Sequence, residues 1–465
     1  MKVGKKALLT CASLVGLSGA AIAFAVAQQS ASSREQGTIV STAAGTPASS
    51  PLSAPSSGLA SAPPAVAAGA PSPAYTLAFA DEFNGTQVDQ NDWYFRITGR
   101  YTDGYNRREN VTEEGGALKI RYDYEDVSGD GVPDFTAGGV ISRHLFGYGY
   151  YEVRARLHTT STGLHTSFWS MGILANKPGI GSDPLIAQDI NNGVFPENNQ
   201  LYEIDGFEHD SPDTMDQGTN KQSSNATTRR AGGKSSAQLG INFADWNVYG
   251  FDYQPDATRF YLNGVLTYTI DNTTNAYVFA PANLWLTALM YFSNPTPGVL
   301  PGGSEFDYFR FYNKPSPGTN RLGNANFDAL RSTIPLWIPG GWIEGYDKPA
   351  SAISEADHYD GTRSLLHQST SAYLVTTKQN LTYLPNGSYT LSAWVKSSGG
   401  QSQARMRVLN SGVAERYVDI PQTSAWTQIT IPNVIVSNGK ATIAFTSNAA
   451  ANQWLKVDNV SFREQ

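Results

Sequence analysis

An all-β fold of two successive sandwiches, the second the smaller, follows from three features of the sequence. From residue 75 onward the chain consists of short alternating runs rich in Tyr, Phe, Val, Ile and Thr, separated by Gly, Asn, Asp and Pro. No long run carries a helical period. Near 314–321 the pattern is interrupted by Pro315, Pro317 and Gly318, and roughly 145 residues with their own strand pattern follow, the usual size of a β-sandwich. The spacing predicts strands over 117–124, 148–157, 246–253 and 259–263 in the first part. Asn263-Gly264 follows the last of these and reads as a tight hairpin turn. In the second part, strands are predicted over 388–395, 426–431 and 441–446. The expected domains are therefore 75–314 and 315–465.

The N-terminal residues read differently. Lys2, Lys5 and Lys6 precede an apolar run over 7–27 that ends in Ala25-Val26-Ala27, the pattern of an export signal spanning 1–27. An uncleaved membrane anchor is the rival reading, since the run approaches spanning length. Leu8-Leu9-Thr10-Cys11 gives a weak lipoprotein signal. Export predicts a secreted, cell-surface or periplasmic protein. Cleavage would remove Cys11, the only cysteine, and with it any disulfide, thiol nucleophile or thiolate metal site. Residues 28–74 are mostly Ser, Ala, Pro and Gly, with no aromatic residue and only Arg34 and Glu35 charged. They predict a disordered linker. The net charge of -7 gives no electrostatic footprint for nucleic acid.

The chemistry is concentrated in Glu203-Ile204-Asp205-Gly206-Phe207-Glu208. On a strand, Glu203 and Asp205 share a face, while strict alternation puts Glu208 on the other. One extra residue corrects the phase, and Gly206 suits a β-bulge. Like charges held close raise one another's proton affinity, so one carboxyl stays protonated while another is ionised, as glycosidic cleavage requires. Acidic residues number 40 of 465, so three at fixed offsets arise by chance about 0.3 times in such a chain. An acidic solvated strand face is the bland alternative, and context must decide.

That context is an ordered series of motifs. Asp81-Glu82-Phe83-Asn84 precedes Trp93, Gly147-Tyr148-Gly149-Tyr150-Tyr151-Glu152-Val153-Arg154-Ala155, and Ser167-Phe168-Trp169. After the acidic motif come 246–253, Phe260-Tyr261-Leu262-Asn263-Gly264 and Phe306-Asp307-Tyr308-Phe309-Arg310-Phe311-Tyr312. Over residues 75–313 the chain resembles glycoside hydrolase family 16, a family of laminarinases, lichenases, agarases, carrageenases and porphyranases. The resemblance implies a concanavalin-like jelly roll with a cleft on its concave face, and retention of configuration. Carried onto these positions it implies Glu203 as nucleophile, Glu208 as general acid/base and Asp205 as the auxiliary carboxylate between them. The bulged spacing is nearer the laminarinase and galactanase branches than the lichenase branch. A retaining pair needs carboxyls about 5–5.5 Å apart, whereas four extended residues span about 13 Å. Strand curvature must close that gap.

Trp169 is the candidate sugar platform, with a core tryptophan as its alternative. His165 is a candidate sugar hydrogen-bonder, and Asn199, with Asn198, a weaker one. The chain lacks the Trp-Pro pair that laminarinases often carry before Phe-Trp, having Leu164-His165-Thr166-Ser167 instead. Arg96, Arg100, Arg107, Arg108, Lys221, Arg229 and Arg230 lie in polar loops. Solvated surface is their ordinary role, but arginine forks also suit the sulfate or carboxylate of an acidic galactan.

Structural calcium is a further expectation, while catalysis needs no cofactor. Asp126 and Asp130, in an Asp/Gly-rich stretch that also reads as a hairpin turn, resemble the first part of a calcium loop. Family resemblance adds Asp307. Residues 318–462 resemble a carbohydrate-binding module of galactose-binding-like type, which implies sugar contacts from loop aromatics. Trp342, Tyr373 and Trp454 are its candidates, with Arg405 as polar partner and Asp458 as a calcium ligand.

The sequence thus predicts a monomeric, secreted, endo-acting retaining glycoside hydrolase whose partner is a polysaccharide. Nucleic acid is not expected, and membrane association only if the leader is uncleaved. A β-1,3-glucan of laminarin type is the first substrate expectation, and an algal galactan of agarase, porphyranase or carrageenase type the alternative. A transglycosylase and a non-catalytic polysaccharide-binding protein are the other functions compatible with the same fold.

Overall fold

The computed structural model describes residues 69–174, 183–221, 228–274, 279–290, 297–329 and 340–465. The expected leader at 1–27, and the expected linker up to residue 68, lie outside these residues. Two sandwiches, antiparallel except where Gly104–Asn106 runs parallel to Asp134–Ala137, make up most of the described chain.

Alternation sets each strand's inner face. In Leu118–Glu125, Leu118, Ile120 and Tyr122 are buried, while Lys119 and Arg121 point outward. Where both faces are covered the alternation disappears, and Asn283–Met290 is buried at every position. At the hairpin tip, Asn263 and Gly264 both take positive φ, 49° and 78°, between Ala257–Leu262 and Val265–Asp271. That is the turn geometry whose twist matches the flanking strands.

The first sandwich pairs an eleven-stranded sheet with an eight-stranded one. Across the smaller sheet run Arg229–Arg230, Thr214–Lys221, Tyr202–Ser211, Leu164–Met171, Asn283–Met290, Gly139–Ser142 and Trp93–Phe95. Between the sheets lies an aromatic core that includes Phe146, Tyr151, Phe168, Phe207, Phe251, Phe309 and Phe311. Each such side chain contributes on the order of 1.5–3 kcal/mol by leaving water. The sequence's helical signal was too short to register as an element, yet Pro184–Asn191 is a helix. Its N-terminus is capped by the Asp183 carboxylate, which accepts from Leu185 N at 3.0 Å.

The second sandwich stacks two five-stranded sheets over Phe327, Trp342, Tyr389, Phe445 and Phe462. It packs directly on the first. Tyr383 stacks on Phe146 with ring centroids 5.0 Å apart and 15° between planes. Asn313 Nδ2 donates to Tyr383 O at 2.7 Å, and Gly341 N to Asn198 O at 2.8 Å. Asn380 Nδ2 donates to Val194 O at 3.0 Å, and Lys348 Nζ meets Glu197 Oε1 at 2.6 Å. The segment 193–201 leads into strand Tyr202–Ser211, so the second sandwich braces the entry to the acidic strand.

Candidate active site

Strand Tyr202–Ser211 lies between Leu164–Met171 and Thr214–Lys221. Its register against Leu164–Met171 pairs Glu203 with Met171, Asp205 with Trp169, Phe207 with Phe168 and Glu208 with Ser167. Gly206 has no partner, so the phase of the strand slips there by one residue. Ile204 and Phe207 enter the core, at 1% and 0% exposure. Glu203, Asp205 and Glu208 all line one cleft of about 300 Å³. Space, more than φ, requires glycine at 206. A Cβ there would lie 2.6 Å from Phe168 Cδ1 and 2.9 Å from Phe251 Cδ1.

The three carboxylates are interleaved with donors. Asn220 Nδ2 contacts Glu203 and donates to Asp205 Oδ2 at 3.3 Å. Arg230 Nη1 sits 3.0 Å from Asp205 Oδ2 and also contacts Glu208. Burial, then the charges of Glu203 and Glu208, push the Asp205 carboxyl well above the usual range, against the pull of Arg230. Asp205 therefore favours keeping a proton, which lowers the charge crowded onto this face. His165, 5% exposed, joins Asp210 through Nδ1, and its Nε2 lies 3.9 Å from Glu208 Oε1. Burial works against ionising Asp210, but the hydrogen bond and charge of His165 outweigh it and hold that carboxyl low.

The rest of the cleft lining is aromatic and cationic. Trp169 stacks on the buried Trp285, with centroids 4.6 Å apart and 28° between planes, and donates from Nε1 to Thr287 Oγ1 at 2.9 Å. Arg96 is only 2% exposed, and its Nε and Nη1 have no hydrogen-bond partner. Its guanidinium lies 5.3, 5.6 and 5.9 Å from the rings of Tyr101, Trp285 and Trp169. Burial pushes its pKa down to about 10.

The structure thus brings Glu203, Asp205, Glu208, Trp169 and His165 to one cleft. Asn199 does not belong with them. It is 2% exposed and its amide donates to Pro281 O at 2.7 Å, while the adjacent Gln200 lines the cleft. Asn198 is likewise buried. Arg107 binds Glu125 and Glu109 instead of facing the cleft. Asn220, Gln200 and Tyr101 went unnoticed in the sequence. Asn220 reaches Glu203 only through the register of the next strand, and nothing in its local sequence signals that pairing.

In the second sandwich, Trp342 and Tyr373 are core residues, at 1% and 4% exposure, not surface sugar contacts. Trp342 packs on Phe327 and donates from Nε1 to Asn324 O, because a buried indole needs both apolar neighbours and an acceptor. Trp454 remains half-buried. The Arg405 guanidinium is tied to Asp419 at 2.7 Å and lies over Tyr417.

The candidate calcium ligands are engaged by protein partners. Asp307 pairs with Arg154 at 2.8 Å. Asp458 accepts from the backbone N–H groups of Tyr359, Asp360 and Asn459, and burial pushes it up to about 6. Asp126 accepts from Gly129 N and Gly131 N, and Asp130 from Val132 N, so that loop is an Asp/Gly turn closed by its own amides. Among the described residues, no three His, Cys, Asp or Glu side chains converge as a metal site.

No protein-family model matches the chain. Three characterised proteins are similar to it. A keratan-sulfate endo-1,4-beta-galactosidase of Sphingobacterium multivorum is 27% identical over 355 residues, which are 73% of this chain and 75% of the relative. A beta-porphyranase E of Zobellia galactanivorans is 31% identical over 118 residues, 24% of this chain and 39% of the relative. A beta-glucanase of Acetivibrio thermocellus is 25% identical over 250 residues, 52% of this chain and 64% of the relative. With a cleft built on three carboxylates and these relatives, the chain is a glycoside hydrolase.

Proposed function

We propose that the protein cleaves internal bonds of a β-linked galactan carrying anionic groups, with retention of configuration. The observation that carries the substrate class is Arg96. A nearly buried guanidinium fork at the cleft, with no ion pair among the described residues, is costly unless an anion offsets it. Sulfate or carboxylate matches that fork, whereas the hydroxyls of a neutral glucan match it less well. The Sphingobacterium galactosidase, similar over most of both chains, supports the same reading. The β-1,3-glucan expectation takes second place, supported by the Acetivibrio relative.

In the mechanism, the sugar ring before the scissile bond rests against Trp169. A Glu203 carboxylate oxygen attacks the anomeric carbon while Glu208 gives its proton to the departing glycosidic oxygen. The C–O bond breaks and a glycosyl ester forms on Glu203. Water then attacks the same carbon, Glu208 takes the water's proton, and the ester bond breaks to release a β product. Asn220 orients Glu203, and Arg230 spans Asp205 and Glu208, so the three carboxylates keep a fixed order along the strand. Export through the N-terminal leader, and action as a monomer, complete this reading.

Two outcomes test it. Proton NMR of the first-formed products is expected to show the β anomer, and an α anomer appearing first rejects the double displacement. Arg96→Gln is expected to lower kcat/KM on a sulfated galactan by roughly ten- to a hundredfold, the scale of a lost charged hydrogen bond. Faster turnover of laminarin than of any galactan, with Arg96→Gln unchanged on both, gives the substrate to the glucan reading.

A further inference from the structure

Arg230 reaches the acidic strand by a route that the register prescribes. Asp205 pairs with Gly218 and Gly218 with Arg230, so the three form one row across strands Tyr202–Ser211, Thr214–Lys221 and Arg229–Arg230. Partners in a row point to the same face, which puts the Arg230 side chain on the cleft side with Asp205. Glycine in the middle position leaves room for the arginine to lie across it. A Cβ on Gly218 would stand 2.7 Å from Arg230 Cδ. Backbone contacts hold this arm in place: Ala231 N donates to Gln217 O at 2.8 Å, and the Tyr268 hydroxyl to Arg230 O at 3.2 Å.

At its end the guanidinium serves two acids at once. Nη1 sits 3.0 Å from Asp205 Oδ2 and contacts Glu208 Oε2. Burial works against the charge of Arg230, but Asp205 and then Glu208 outweigh it and raise its pKa, so the group stays cationic in the cleft. A guanidinium only donates hydrogen bonds, so the Glu208 oxygen that meets it is an acceptor. In a protonated carboxyl the carbonyl oxygen is the better acceptor of the two. Oε2 therefore keeps that role, and the proton that Glu208 delivers belongs on Oε1. Oε1 lies on the side of His165, whose Nε2 is 3.9 Å away and which lines the same cleft.

We propose that Arg230 is a positioning residue for the acid step: it reserves Glu208 Oε2 as an acceptor, so that Oε1 carries the proton, and it pairs with the carboxylate that Glu208 becomes. This inference rests on the retaining mechanism proposed above. In the first displacement the Oε1 proton passes to the glycosidic oxygen, the electron pair of the breaking C–O bond leaves with that oxygen, and Glu208 is left negatively charged. That charge develops against a guanidinium already in contact, where a charge-assisted hydrogen bond is about twice as strong as a neutral one. A leaving group that departs without a proton makes no use of the arrangement.

Dependence on the leaving group tests the role. Full-length protein is assayed on two aryl β-galactobiosides, one with a phenyl aglycone, which needs a proton to leave, and one with 2,4-dinitrophenyl, which does not. The corresponding β-laminaribiosides take their place if the parent turns over only those. Arg230→Met keeps an unbranched stem and drops the charge. Its loss of kcat/KM on the phenyl glycoside is expected to exceed its loss on the dinitrophenyl glycoside by about tenfold or more, a part of what a general acid contributes. Arg230→Lys, which restores a point charge, is expected to recover part of that difference. Equal losses on the two aglycones, or no loss, overturn the inference, because a distorted cleft slows both alike. If Arg230→Met does not fold, Arg230→Lys carries the test alone: its loss must still be the greater on the phenyl glycoside, and equal losses overturn the role.

Glu208→Ala, assayed in parallel, separates this failure from failure of the mechanism. A loss confined mainly to the phenyl glycoside in Glu208→Ala, with equal losses in Arg230→Met, removes only the role of Arg230. Equal losses in Glu208→Ala remove Glu208 as the acid, and the role of Arg230 with it.

Discussion

Glu203→Gln is expected to lower kcat on the preferred polysaccharide by at least about a thousandfold while leaving polymer binding and the melting temperature close to wild type. An amide in place of this carboxylate retains the shape that Asn220 contacts, but it is too weak a nucleophile to form the glycosyl ester. The position is also tolerant, because Glu203 stands in a cleft and is not part of the aromatic core. Reducing-end release measured alongside polymer retention separates the two effects. Hydrolysis within tenfold of wild type would assign the attack to another group.

Gly206→Val should be the most damaging single change outside the carboxylates. Its Cβ alone would overlap Phe168 and Phe251, at 2.6 and 2.9 Å, and both rings lie in a packed core with no room to yield. Overpacking of this kind costs about 1–3 kcal/mol, seen as a melting point lowered by several degrees. Its catalytic effect should be larger than its stability effect. Gly206 is the residue at which Asp205 and Glu208 are brought into phase, and a displacement on the order of 1 Å between reacting groups costs about a hundredfold in rate. Thermal melting and kcat on the same preparation check both. If Gly206→Val melts and turns over as the parent does, the bulge does not set the spacing of the acids.

Strand positions were legible because the local pattern carried them. The runs over 117–124 and 148–157 became Leu118–Glu125 and Gly149–Arg156, and Asn263-Gly264 became the turn its composition demanded. The same local reading overlooked Pro184–Asn191, whose eight residues give too few turns for a period to show. Aromatic residues in the second sandwich were harder. Trp342, Tyr373 and Trp454 carry the same chemistry in sequence, but only the sheet stacking decides which rings lie between layers and which lie on the surface.

Charged residues show the same division. Arg96 and Arg107 sit eleven positions apart in one polar stretch, with nothing in the local sequence to separate them. One ends among the rings of Tyr101 and two tryptophans at the cleft, and the other in an ion pair with Glu125. By itself the sequence determined the all-β class, the strand carrying Glu203, Asp205 and Glu208, and the glycine that corrects their phase, because each depends on residues within a few positions of one another. Tertiary structure alone decided which side chains surround those acids, and that the second sandwich braces the segment leading to them. The bracing contacts join residues more than a hundred positions apart, such as Gly341 with Asn198 and Lys348 with Glu197, and the side chains around the acids come from other strands and loops; sheet order and register choose these partners, which no local pattern specifies.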